Sequence, residues 1–122
     1  MIEILYAKCD SGSSVTDAYL KGDRKKLKKL ANLLQDTAKK AERLRQMAAN
    51  IWYKNNKAFG FEFLDRKLGG TVSRLNSAAE RILGYLDGKY ERLEELEEKR
   101  LYYNGDKSPF VPKYFASAIQ MP

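Results

Sequence analysis

The chain of 122 residues contains no histidine, and that absence removes most of the familiar catalytic constellations at once. Ser-His-Asp and Cys-His arrangements are excluded, and so are histidine-bearing zinc sites and the commonest general base near neutral pH. Any chemistry left must rest on carboxylates, lysines, tyrosines and the single thiol of Cys9. With no base beside it, Cys9 reads better as a small, semi-buried helix residue than as a nucleophile. The acidic run Glu91, Glu94, Glu95, Glu97 and Glu98 offers paired carboxylates, but with Arg92, Lys99 and Arg100 interleaved it reads as a solvated helix face rather than an acid/base couple. The residues best suited to touch something lie between Asn50 and Gly70. They are Trp52, Asn55, Asn56, Phe59, Phe61, Glu62, Asp65 and Arg66, with Tyr53 and Phe63 beside them. Large flat rings bury much area and can leave a polar edge wet, so such a corner suits an interface. The plainer alternative is that Trp52, Phe59, Phe61 and Phe63 fill the end of a bundle, while Glu62 and Asp65 pair with Arg66, Lys67 or Arg74. No catalytic residue, metal ligand set or cofactor site is expected from these residue types.

Charge narrows the partners. The formal net charge is +7, and the excess sits in the first half, densest at Lys21, Arg24, Lys25, Lys26, Lys28 and Lys29. Such a stripe can bind nucleic acid, but this one lacks interleaved aromatics and a helix-turn-helix pattern, so a solvated helix face is expected instead. No apolar run approaches the length needed to cross a bilayer. The first residues carry an acid where a secretory signal would be basic, and a lone cysteine suits a reducing compartment. A cytoplasmic setting with neither membrane nor nucleic acid as partner is the expectation.

The elements that must position the corner are helices. An all-α, antiparallel bundle of three main helices is expected, with a short fourth helix and an extended C-terminal tail, all within one domain spanning 1–122. The first helix covers about 2–21, and its Asp10–Ser14 segment is poor helix sequence that could divide it, with Ser13 or Ser14 capping a second piece. Gly22 ends it. Asp23 is the expected N-cap of a second helix over about 23–54, where Leu27, Leu30, Leu34, Ala38, Ala41, Leu44, Ala48 and Ile51 recur at spacings of three and four. A third helix, about 62–87, repeats the pattern with Leu64, Leu68, Val72, Leu75, Ala79, Ile82 and Leu86. Gly69, Gly70 and Gly84 lie inside it, where a missing side chain admits another backbone or an aromatic ring. Gly88 stops it, and Tyr90, Leu93 and Leu96 predict a fourth helix over 89–101. Pro109 and Pro112 forbid helix in 104–122, but Phe110, Val111, Tyr114, Phe115 and Ile119 are too apolar to float free, so this tail should pack along the bundle or on another chain.

One string in the corner is not dictated by helix periodicity. Trp52-Tyr-Lys-Asn-Asn-Lys-Ala-Phe-Gly-Phe-Glu62, followed by Asp65, Leu68-Gly-Gly70 and Arg74-Leu75, then Gly84-Tyr-Leu86, Gly88-Lys89 and Arg92-Leu-Glu-Glu-Leu96, resembles the helical C-terminal domain of certain bacterial glycoside hydrolase family 20 enzymes. The similarity runs from about Ile2 to Leu101, with Ala58 standing where proline is common. These enzymes are exo-acting β-N-acetylhexosaminidases that remove a terminal N-acetylhexosamine, the substrate's own acetamido group attacking the anomeric carbon. The resemblance implies that the catalytic Asp-Glu pair sits on a (β/α)₈ barrel, which needs about 250 residues. This chain is shorter than that and has no Asp-Glu dipeptide. It therefore resembles a non-catalytic accessory domain of a larger enzyme. The expected partners are the barrel of that enzyme, a second subunit, or both. By the same resemblance, Trp52 could stack on a pyranose with Asn55, Asn56 or Glu62 meeting hydroxyls. A stand-alone nucleic-acid module working through Lys21–Lys29 and a purely structural homodimer built through the corner are the alternatives.

Overall fold

The computed structural model describes residues 2–98. The end of the expected fourth helix and the tail 104–122 lie outside the described residues. Among those described, there are four helices and no strand: α1 (Ile2–Leu20), α2 (Arg24–Asn55), α3 (Phe61–Leu86) and α4 (Glu94–Glu97). The all-α expectation holds.

Helix α1 runs without a break, close to the expected 2–21, and is not divided at Asp10–Ser14 as that segment's composition allowed. The polar side chains there satisfy themselves on the helix. Ser11 and Ser13 hydroxyls donate to the carbonyls of Lys8 (3.0 Å) and Asp10 (3.2 Å), and Thr16 donates to Gly12 at 3.1 Å. Hydroxyls that bond backwards along the helix no longer compete with its ladder. Cys9, expected to be semi-buried, is exposed. The buried face of α1 is carried by Val15 and Ala18. Helix α1 ends where Gly22 takes a positive φ of 67°. Asp23 N–H then reaches Ala18 O at 2.9 Å and Gly22 N–H reaches Tyr19 O at 2.9 Å, which is a Schellman closure. Two residues later the chain is helical again, because the Asp23 carboxylate accepts from Lys26 N–H at 2.9 Å.

Helix α2 is the longest element and packs against both α1 and α3, while α1 and α3 make few direct contacts with one another. The core runs along its first two thirds. Leu27, Ala31, Leu34 and Ala38 are buried in one cluster with Val15 and Ala18 of α1 and Leu75, Ala79 and Ile82 of α3, and Ala41 is buried one turn further on. Leu27 is 0% exposed, and burying such a side chain contributes about 1.5–3 kcal/mol. Among the described residues Thr37 is the one buried polar side chain, and its hydroxyl donates to Leu33 O at 2.7 Å. The stripe fails at its far end: Ile51, expected on the buried face, is 59% exposed. Glu3 near the start of α1 holds Lys40 of α2 at 2.9 Å, so α1 lies along the first half of α2, and nothing described covers the α2 flank beyond.

Helix α3 closes as α1 does. Gly88 has φ 79°, Lys89 N–H donates to Gly84 O at 2.8 Å and Gly88 N–H to Tyr85 O at 3.2 Å. The fourth helix is shorter than expected, four residues starting only at Glu94. Tertiary contacts claim the preceding residues. The Tyr90 ring lies on Gly84, and Leu93 is buried and donates its N–H to the Tyr19 hydroxyl at 3.1 Å. Arg81 then pins α4 with a bidentate pair to Glu95, at 3.0 and 2.9 Å. Gly84 is thus the place where a ring meets a glycine, whereas Gly70 faces open space and Gly69 meets only the Arg45 side chain, at 3.9 Å.

Candidate functional site

The end of the α2–α3 hairpin is built in layers. Helix α2 stops at Asn55, whose side-chain amide donates back to Ile51 O at 2.9 Å, while Asn56 turns extended and gives its N–H to Trp52 O at 2.8 Å. The Trp52 indole N–H donates to Lys57 O at 2.8 Å and pins the connecting loop. Gly60, with φ 100°, starts α3, and the Trp52 ring lies so close that an added Cβ would sit 3.2 Å from it. The Glu62 carboxylate folds back to accept from Gly60 N–H at 2.9 Å, satisfying one of the open donors at a helix start. Beneath these lies Phe61, 5% exposed, tilted against Trp52 at 6.1 Å and Tyr53 at 5.2 Å between ring centroids.

The remaining aromatics face outward. Phe59 is 88% exposed, and Tyr53, Phe63, Ile51 and Met47 are also exposed. Lys67 Nζ sits 4.3 Å over the Phe63 ring. One hairpin end therefore combines a filled interior, Trp52 over Phe61, with several large apolar groups directed at solvent. Single exposed apolar side chains are ordinary, but several clustered around one tip mark a contact surface.

The carboxylates of this region are occupied. Asp65 accepts from Arg45 on the facing helix, and Arg45 also makes a bidentate pair with Glu42 at 2.8 and 2.7 Å. The plainer reading of the corner pairs Asp65 with Arg66, Lys67 or Arg74. The structure instead joins it across the hairpin to Arg45, a residue the helical stripe gave no reason to single out. Arg45 is held protonated well above its usual range by the hydrogen bonds it donates to Glu42 and then Asp65, and the same guanidinium lowers the Glu42 pKa. Arg66 is exposed and forms no ion pair among the described residues. Of the eight candidates, Trp52, Phe61 and Glu62 are joined in the turn and Asp65 is joined to Arg45. Asn55 and Asn56 are spent on the end of α2, and Phe59 is the most exposed of the outward-facing apolar side chains. Among the described residues, no group of three or more His, Cys, Asp or Glu could hold a metal ion.

The basic run on α2 behaves as a solvated face. Lys25, Lys26, Lys28 and Lys29 are exposed, and Arg24 is turned inward to donate to Leu86 O at 2.6 Å with its guanidinium 5.5 Å over Tyr85. The acidic run is likewise engaged. Glu95 binds Arg81, and Glu97 accepts from the Tyr19 hydroxyl and lies 3.5 Å from Arg92.

The architecture defines the class: an all-α domain organised on one long helical hairpin, with exposed aromatic side chains at one end. The family model described as the Glycoside Hydrolase 20C C-terminal domain matches residues 1–113, and the chain belongs to that family. No curated protein and no solved structure matches it. Among the described residues, no helix is long and apolar enough to cross a membrane.

Proposed function

We propose that this chain is the non-catalytic C-terminal helical domain of a β-N-acetylhexosaminidase-like glycoside hydrolase, and that the end of its α2–α3 hairpin docks on the catalytic (β/α)₈ barrel of that enzyme, on a second subunit, or on both. The observation that carries this is the pairing of family membership with the exposed aromatic tip. Phe59, Tyr53, Ile51 and Phe63 are the sort of anchors whose truncation costs 2 kcal/mol or more when they fill a partner's pocket, by the usual behaviour of interface hot spots. Trp52 and Phe61 hold them in place from beneath. Glu42, Asp65 and Glu62 are engaged with Arg45 or the turn backbone, so none is a free acid or base for glycoside cleavage. A sugar-facing role fits Phe59 better than Trp52, since the indole N–H is already committed to Lys57 O. A cytoplasmic setting belongs to the same reading, and the exposed thiol of Cys9 suits a reducing compartment.

The test is co-expression of the chain with a family 20 catalytic barrel from the same organism, followed by assay with a chromogenic N-acetyl-β-glucosaminide. The chain alone should show no turnover and should co-purify with the barrel. Turnover by the isolated chain, or a barrel that never retains it, would refute the proposal.

A further inference from the structure

The side of α2 that faces α1 continues past the point where α1 begins. Glu3, near the start of α1, meets Lys40 of α2 at 2.9 Å. From Lys40 onward, Leu44, Met47 and Ile51 follow at spacings of four, three and four, which keeps them on one side of the helix. Leu44 is half-buried, but Met47 is 60% and Ile51 59% exposed. This strip leads along α2 for about 15 Å, at 1.5 Å per residue, to the aromatics of the hairpin end.

The edge of the strip is cationic. Arg43 lies one turn before Met47 and Lys54 one turn after Ile51, and both are exposed with no ion pair among the described residues. The acids nearby are already engaged: Glu42 and Asp65 with Arg45, Glu3 with Lys40, and Glu62 with the Gly60 N–H.

We infer that this strip is the other half of the surface that docks on the catalytic barrel, and that the barrel meets it with an apolar patch edged by carboxylates; the inference rests on the docking role proposed above. Area argues for it. Two helix ends, each about 10–12 Å across, give the tip a footprint of roughly 200 Å², whereas a stable interface takes about 800 Å² a side. Phe59, even fully buried, adds only about 200 Å². The shortfall must be met along one side of the hairpin. On the α3 side Phe63 already carries Lys67 over its ring at 4.3 Å, while on the α2 side Met47 and Ile51 continue the apolar surface without interruption. Charge then selects the occupant. A second copy would set Arg43 and Lys54 against their own counterparts, and like charges facing each other across an interface repel. A surface edged with carboxylates would pair with both.

The experiment is thiol footprinting on the full chain carrying Cys9→Ser with either Ile51→Cys or Phe59→Cys. Alkylation by N-ethylmaleimide is timed with and without a saturating family 20 catalytic barrel from the same organism. In the free chain both thiols should react as fast as an open one. In the complex both should slow about tenfold or more, because the core of an interface excludes water. Slowing at position 59 with none at 51 overturns the strip's role and leaves docking through the tip standing. No complex, or slowing at neither position, overturns both. A thiol at 51 that is slow in the free chain also overturns the inference, whether the chain covers the strip itself or, if the slowing grows with concentration, a second copy does. Sedimentation with phosphatidylglycerol vesicles that Ile51→Glu abolishes would give the strip to a lipid surface instead. As a second measurement, Arg43→Glu with Lys54→Glu should slow association with the barrel about tenfold at low salt, a gap that closes in about 1 M salt, where charges are screened within about 3 Å. An unchanged association rate overturns the carboxylate edge.

Discussion

Replacing Gly84 by alanine sets two effects of opposite sign against each other. In a helix interior the change should stabilise by up to about 1 kcal/mol, since alanine loses less backbone freedom and is the best helix former. At this position an added Cβ would lie 2.5 Å from Tyr90 Cε2 and 2.8 Å from Cδ2, closer than any real contact. The ring meets the glycine with its Cδ2–Cε2 edge while Arg81 lies over its face at 4.3 Å, so it cannot make room without disturbing that stack. It must lift away, and overpacking of this kind costs about 1–3 kcal/mol, with a further 0.5–1 kcal/mol at stake in the cation–π contact. The net expectation is a loss of about 1 kcal/mol, or about 4 °C in Tm for a domain of this size. Thermal unfolding followed by circular dichroism reads it directly. In a Tyr90→Ala background the obstacle is gone, and Gly84→Ala should then raise Tm. A rise in the otherwise native chain would refute the packing of Tyr90 on α3, and with it the reason that the fourth helix starts late.

Further outcomes follow from single contacts. Asp23→Ala removes the acceptor for Lys26 N–H and should cost about 1 kcal/mol in chemical denaturation, while Asp23→Ser should restore most of it. The Glu95 carboxylate is lowered chiefly by its hydrogen bond from Arg81. Its contribution is therefore present above the ordinary carboxylate pKa and is lost as pH falls through the depressed folded value, so Glu95→Gln should flatten the stability profile below about pH 5. Tyr19 is raised, first by its hydrogen bond to Glu97, so its contribution holds below its usual 10.0 and disappears as pH rises through the higher folded value. Tyr19→Phe should remove that alkaline limb in a pH-dependent unfolding series. Asp65→Asn, at a carboxylate 41% exposed, should lower stability only slightly in chemical denaturation.

Much of this fold is written locally, and those parts were legible. The i, i+3, i+4 recurrence of Leu27, Leu34, Ala38, Leu75, Ala79 and Ile82 depends on helix geometry alone. Asp23, Gly22 and Gly88 act within a turn of themselves. The missed features depend on residues distant in sequence. Ser11 and Ser13 look like helix breakers until their hydroxyls are placed on the preceding turn. Tyr90 and Leu93 carry helical spacing, but the contacts with Gly84 and the Tyr19 hydroxyl hold them out of a helix. Ile51 keeps the stripe's spacing yet lies eleven residues beyond Lys40, where Glu3 near the start of α1 meets α2. Asp65 was legible as an ion-pair partner, but Arg45 lies 20 residues away and enters only when the hairpin closes. At the tip, sequence could name the aromatics but could not sort Phe61, which is buried, from Phe59, which is not. What separates them is tertiary: Phe61 packs against Trp52 and Tyr53 across the turn, and the positive φ of Gly60 lies between the two residues.

The most direct test of the docking role is the affinity of the chain for a family 20 catalytic barrel from the same organism, measured for the native chain and for Phe59→Ser. Phe59 is almost fully exposed, so the substitution should leave Tm within about 1 °C and the circular dichroism unchanged, as surface changes generally do. Binding should nevertheless weaken tenfold or more, the equivalent of at least about 1.4 kcal/mol. An equally tight complex with Phe59→Ser would contradict the account.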